Sequence, residues 1–470
     1  MVELIKNIVT RMLVAVSLIY LMGLLAPDIL TIGQDTFQTS VVLAFYLYCI
    51  ISLFTASKHK LFHVLSIPVF TQFIQIFQKY DFPGGANSIW RLIPFIILDV
   101  YLINFLFHHQ AKPQSHQGIL LLWILSNTLF LIISPNFANI YLGGFILYLI
   151  TIPLVLIYLD IVAEAIDFRQ ELEKYLCLIF IILGAGTLAL IVVSAGYRGS
   201  DNLLVTRNIA DTNITMAYFI LLWPFSILYC IHNRTSIVFN IGLLATFIAV
   251  IVLSFSRGAI LLVIPYIGIT CVLAARFIPY PVLCLPIILS LLFRKNLLNF
   301  IQSQDLLYFW QLRFTDIGSS FPFLEHLENI SGRTDIHEIA YDLFLQKPIL
   351  GHGIGSFEIL GPGYREAHSL WYTLLAEQGI LGIIFIYCLF FILIQSLIKY
   401  LHTRGAEYYT LFLSILFFLL FNHTVGSTFV ILPSKSVTVN CIAPILLICT
   451  YFYTGSFERI YYRAQPNAAL

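Results

Sequence analysis

"REAHSLWYTLLAEQGILG" (365–382) opens with an arginine, a glutamate and a histidine and runs straight into apolar sequence. From 379 to 398 the run is apolar and long enough to cross a bilayer, which takes about 20 residues. Ionisable groups therefore stand at the mouth of a membrane helix. The rest of the chain agrees with that reading. It has 470 residues, 59% hydrophobic and only 10% charged, against about 25% charged in soluble domains. Its mean hydropathy is +0.90. Such a chain cannot cover itself with polar surface, so lipid is its solvent. The formal net charge of +1 excludes the basic excess of a nucleic-acid binder.

Working outward, candidate spans centre on 8–26, 37–56, 61–78, 89–107, 118–134, 141–162, 175–195, 213–231, 236–254, 258–276, 278–293, 379–398, 409–425 and 437–454. The expected fold is all-α, a polytopic inner-membrane bundle of about 12–14 transmembrane helices. Segment 278–293 is the weakest span, short and interrupted by Pro279, Pro281 and Pro286. The apolar run after Arg11 lacks a small-x-small cleavage site and reads as a first span rather than a signal peptide. The eight cysteines all sit in apolar runs without a CxxC pair, as buried small hydrophobes do.

Lys and Arg in the short loops set the orientation. With the N-terminus in the cytoplasm, "SKHK" (57–60), "AEAIDFRQELEK" (163–174), "HNRT" (232–235), "KYLHTRGAE" (399–407) and the tail 455–470 face inward. "APDILTIGQD" (26–35) and "SPNFANI" (134–140), which hold neither Lys nor Arg, face outward. The outer side also receives 195–212 and the long stretch 294–378. The chain divides into N-terminal spans (1–235), a core (236–454) containing the outer loop 294–378, and the tail. Within that loop, "SGRTDIHEIAYDLFLQKP" (331–348) has the apolar spacing of an amphipathic helix stopped by Pro348. "LGHGIGSFEILGPG" (350–363) reads as loose and glycine-rich. A second helix is expected from about 364, merging with the next span and placing His368, Trp371, Tyr372 and Leu375 on one face.

Three residues stand out chemically. Arg257, in "SFSRGA" (254–259), lies at a span junction beside Gly258, where another group can approach closely. The plain alternative is an arginine that snorkels to the interface. Arg333 lies in the first turn of the loop helix. There the dipole favours an anion, so a cation is opposed unless an anion lies between them. His368 can take a proton from a hydroxyl near neutral pH, with Glu366 and Ser369 beside it to orient the ring. Arg207 and Arg365 are further candidates for binding an anionic glycan or diphosphate. Asp99 and Asp160 are intramembrane carboxylates suited to a relay or to internal hydrogen bonds. His59 and His63 are four apart without a further ligand, so no metal is expected. "GHGIG" (351–355) lacks the strand and the Gly-Lys-Ser of a phosphate loop and reads as a hinge.

"SRGA", then "SGRTDIHEIAYDLFLQKPILGHGIGSFE", then "HSLWYTLLAEQGILG" occur in the order found in the O-antigen ligase and polymerase superfamily of bacterial envelope glycosyltransferases, which the chain resembles over about 240–400. The resemblance implies an enzyme of the inner membrane with its site facing the periplasm. It implies transfer of a glycan from an undecaprenyl diphosphate carrier to an acceptor hydroxyl, without metal or cofactor and with inversion. In ligases the acceptor is lipid A–core, and in polymerases it is another lipid-linked glycan. It also implies catalytic roles for Arg257, Arg333 and His368. The chain departs from the typical ligase in having about fourteen predicted spans rather than about twelve, which leaves ligase and polymerase both open. A transporter of lipid-linked sugar is the remoter alternative, with Asp99, Asp160 and His423 as coupling residues. It lacks the two similar halves such proteins often show.

Overall fold

The computed structural model describes residues 1–25, 36–56, 58–77, 85–109, 117–193, 212–253, 257–279, 333–364, 366–402, 405–426, 429 and 441–464. Among them the ordered elements are helices, and no strand is present. The helices are α1 (Val2–Leu25), α2 (Thr36–Phe54), α3 (Lys60–Phe77), α4 (Ile89–His109), α5 (Gln117–Ile132), α6 (Phe137–Gly143), α7 (Ile152–Val162), α8 (Phe168–Val193), α9 (Thr212–His232), α10 (Ile237–Leu253) and α11 (Arg257–Leu273). After residue 332 come α12 (Arg333–Gln346), α13 (Phe357–Leu360), α14 (Leu370–Leu401), α15 (Tyr409–Thr424) and α16 (Ile442–Ala464). Among the described residues seven helices are long and apolar enough to cross a membrane, with shorter apolar helices such as Ile237–Leu253 beside them. The protein is a multi-pass, all-α membrane protein. Each expected span has a helix beneath it except 278–293, of which 280–293 lies outside the described residues.

A membrane bundle has no water to satisfy stray polar groups, so each must find a partner inside the protein. A π-helical segment, Gly144–Thr151, joins α6 to α7. Its wider winding leaves carbonyls open to side chains, and the Tyr148 carbonyl accepts from Trp123 Nε1 at 2.8 Å. At its end Thr151 Oγ1 donates to the buried Asp99 carboxylate at 3.0 Å. Asp99 is thus bonded internally to the segment beside it. His59 and His63 each meet a tyrosine hydroxyl, Tyr175 at 3.1 Å and Tyr48 at 3.2 Å, rather than each other.

Cations stand at helix C-termini, where the dipole and free carbonyls favour them. Buried Arg11 donates to Thr55 Oγ1 at 2.6 Å and to the Ile51 carbonyl at the end of α2. Lys60 donates to the Thr55 carbonyl at 2.5 Å.

The end of the bundle opposite the candidate site is tied by one connected network. Glu173 of α8 accepts from Tyr453 of α16 at 2.5 Å and from His232 of α9 at 2.8 Å. The other nitrogen of His232 meets Tyr408 Oη at 2.9 Å. Arg169 donates to Tyr400 of α14 and lies 4.6 Å from the Tyr453 ring centroid. Replacing Arg169 by Met keeps the packing stem but removes the guanidinium. It is expected to destabilise the bundle by about 2 kcal/mol, read as a lower thermal unfolding midpoint in detergent.

Candidate active site at the mouth of α14

The Gly351–Ser356 stretch is buried, not loose, because it completes a broken helix. Gly379 has φ 60 and ψ −158 inside α14, which kinks the helix there. In an unbroken helix the Ile380 and Leu381 amides would bond the Ala376 and Glu377 carbonyls. All four groups find partners in the loop instead. The Ile380 and Leu381 amides donate to the Pro348 and Ile349 carbonyls at 2.9 and 3.1 Å. The His352 and Gly353 amides donate to the Ala376 and Glu377 carbonyls at 3.1 and 2.6 Å. The loop is a wedge whose backbone replaces both partners of two lost helical hydrogen bonds.

Neighbouring groups hold the wedge in place. The Glu377 carboxylate, buried in α14, accepts the Phe357 amide at the start of α13 at 3.3 Å. The Ile354 amide donates to the Phe130 carbonyl at 2.8 Å, and Asn136 Nδ2 donates to the Gly355 carbonyl at 2.9 Å. These bonds fasten the loop to the end of α5. On the other side, Ile336, Ala340 and Leu343 of α12 form a small core with Phe357, Ala367 and Ala376, separate from the main core.

His352 is buried in the wedge, with Nε2 at 3.0 Å from the Leu343 carbonyl. Burial lowers its imidazole below the ordinary value. The Leu343 carbonyl opposes that shift and Lys347 adds to it. The unfolded chain therefore takes up this proton at a higher pH than the folded one. Stability present above about pH 6.5 is lost as the pH falls through the folded value. The unfolding midpoint is expected to fall between pH 7.5 and 5, and to fall less in His352→Gln, which keeps a donor for Leu343.

His368 does not lie on the helix as expected. The bends at 361–363 and at 368–369 delay α14 until Leu370. His368 itself has φ 53, a left-handed conformation. Its Nδ1 is buried and 3.4 Å from the Glu366 carboxylate. Glu366 is buried, whereas the imidazole is partly exposed. The Ala367 amide donates to Thr373 Oγ1 at 3.2 Å, fixing the corner to the first turn of α14.

Arg333 resolves its conflict with the α12 dipole by turning to another helix. Nη1 and Nη2 donate to the Thr424 and Val425 carbonyls, at 2.5 and 3.1 Å, at the C-terminus of α15. One turn further along α12, His337 lies flat on Tyr372 of α14, with centroids 4.1 Å apart and planes 10° from parallel. Burial lowers the His337 imidazole, and Arg333 pushes it further down. The Ala367 backbone raises it and His368 lowers it. Arg333 and His368 therefore both lie within electrostatic reach of one ring.

Arg257 is the first residue of α11, and its side chain lies outside the described residues. The helix places its backbone nonetheless. Arg276 is 3.9 Å from Glu407, and the Tyr266 and Phe417 rings are 5.2 Å apart. α11 therefore runs antiparallel to α15, and Arg257 begins at the end where α15 stops under Arg333. Arg207 and Arg365 lie outside the described residues. His337 and the role of Glu377 were missed by sequence reasoning. The signal for Glu377 was the matched glycines of "GHGIG" and "AEQG", which join only once the helix is seen to break.

Residues 242–387 match the sequence family of O-antigen ligases. Over that segment the chain is similar to the O-antigen ligase family. Comparison with curated proteins and with solved structures finds no match. The O-antigen ligase segment starts inside α10 and ends in α14 beyond the kink. It takes in Arg257, Arg333, His337, the wedge, Glu366 and His368, while Arg207 lies before it. Among the described residues no group of His, Cys, Asp and Glu could hold a metal ion.

Proposed function

We propose that this protein transfers a glycan from an undecaprenyl diphosphate carrier to an acceptor hydroxyl on the outer face of the inner membrane, with lipid A–core as acceptor. One observation carries the reading: the His368 imidazole backed by the Glu366 carboxylate at 3.4 Å, inside the segment that matches O-antigen ligases. A carboxylate facing Nδ1 favours the tautomer protonated there and leaves the Nε2 lone pair for substrate. Nε2 takes the acceptor proton as the hydroxyl attacks the anomeric carbon. The bond from that carbon to the diphosphate oxygen breaks on the opposite side, and the diphosphate leaves with the electron pair. A single displacement inverts the centre.

The donor's diphosphate, esterified at both ends, carries about two negative charges and gains a further one as it leaves, and two guanidinium groups can meet that charge bidentately. Arg257 and Arg333 fill that role. Arg333 exchanges bonds to the neutral Thr424 and Val425 carbonyls for stronger charge-assisted bonds to phosphate oxygens. A lipid headgroup meets protein at the interface, which is why these residues sit at helix ends. The carrier lipid and the surrounding membrane lipid enter from the side.

The test is transfer by the purified full-length protein from a lipid diphosphate glycan to lipid A–core. Glycosylated lipid A–core supports a ligase. Elongated lipid-linked glycan alone makes the protein a polymerase, and absence of transfer to either acceptor sinks the reading. Arg257→Lys keeps the charge and loses the fork, so it is expected to cut kcat/KM by about 10-fold or more. Wild-type turnover by that variant removes bidentate binding at this position.

A further inference from the structure

We propose that His337 is a positioning residue: its ring, laid on Tyr372, clamps the Ala367–His368 corner in the left-handed conformation that presents the His368 imidazole. The proposal rests on the reading of His368 as the base, and one measurement below is independent of that reading.

A non-glycine residue held at φ 53 is strained and persists only where the surroundings over-determine it. From α14, Thr373 holds the corner through the Ala367 amide at 3.2 Å, and the Thr373 amide donates to the Ser369 carbonyl at 2.9 Å. From α12, Ile336 and Ala340 bury Ala367. His337 is the polar side chain of α12 that reaches the same corner. It lies flat on Tyr372, four residues past His368, and beside the Ala367 backbone. The helices α12 and α14 are thus joined by one ring pair beside the Ala367–His368 corner.

The residue type is informative. His337 Nε2 is buried without a hydrogen-bond partner, so the clamp draws on the flat ring and not on a bond from this nitrogen, and an apolar ring would pack there without an unsatisfied polar atom. The ring's neutrality fits the role. Burial and the nearby Arg333 lower the imidazole, which favours its uncharged form. A second positive charge beside the base would oppose the protonated state His368 must reach.

The experiment uses purified full-length protein and three variants: His337→Ala, His337→Phe and Tyr372→Leu. His337→Ala is expected to lower kcat by about 10- to 100-fold, the scale of a small misplacement of a reacting group, with KM nearly unchanged. Tyr372→Leu, which removes the other half of the stack, should do the same. His337→Phe keeps a flat ring and should recover to within a few-fold of wild type. A rise in KM at unchanged kcat would place His337 on the substrate and overturn the proposal. Equal loss in the Ala and Phe variants would also overturn it. Independently of turnover, carbethoxylation of His368 by diethyl pyrocarbonate, read by mass spectrometry, should be faster in His337→Ala and unchanged in His337→Phe. If His368 proves dispensable for transfer, the base reading falls, yet this labelling still decides the clamp. Identical labelling rates in all proteins sink it.

Discussion

Replacing His368 by Asn or Ala is expected to lower glycan transfer by about 10²- to 10⁴-fold, the range typical of losing a general base. The two variants separate chemistry from folding. Asn tolerates a left-handed backbone better than Ala, so His368→Asn should keep the φ 53 corner while losing the proton acceptor. The check is kcat measured with purified protein, alongside the thermal unfolding midpoint and donor-lipid binding. Loss of turnover with an unchanged midpoint and retained binding is the expected result. Wild-type turnover in either variant removes the base assignment. Glu366→Gln should cost less, because it removes the charge that orients the imidazole but leaves the imidazole in place.

The second large effect lies in the wedge. Gly353 has φ 94, and an added Cβ would stand 2.5 Å from Ser134 Cα. Both strain and close contact with backbone oppose any side chain there. Gly353→Ala is expected to destabilise the protein by about 2–6 kcal/mol, combining left-handed strain with overpacking. Gly363 provides the control. It has φ 87, yet among the described residues nothing lies within 4 Å of where its Cβ would stand. Gly363→Ala should therefore cost only the strain, about 1–3 kcal/mol. Thermal unfolding in detergent distinguishes them, and equal midpoints would mean that close approach to α5 does not pin the loop. Gly353 does not touch the His368 chemistry, but its amide bonds the Glu377 carbonyl at the kink of α14. Activity should fall in step with stability.

The sequence determined the solvent, the element type and the places where chemistry gathers. Fifty-nine per cent hydrophobic residues in runs of about 20 leave a helical bundle in lipid as the available answer. The amphipathic spacing at 331–348 matched α12 closely because periodicity is a local property. Polar residues at helix mouths were visible because an ionisable side chain beside an apolar run has few explanations. The tertiary structure decided what depended on partners far along the chain. "GHGIG" looked like a loose hinge because its hydrogen-bond partners lie at 376–381, in a helix that breaks only when the loop is present to replace its bonds. Arg333 looked misplaced at a helix N-terminus because its carbonyl partners, Thr424 and Val425, belong to a helix more than ninety residues away. The stack of His337 on Tyr372 forms only where α12 packs against α14. Local pattern fixes helices because their bonds close within four residues. A site at helix ends is fixed by bonds that close between elements, and a linear sequence carries no trace of which end meets which.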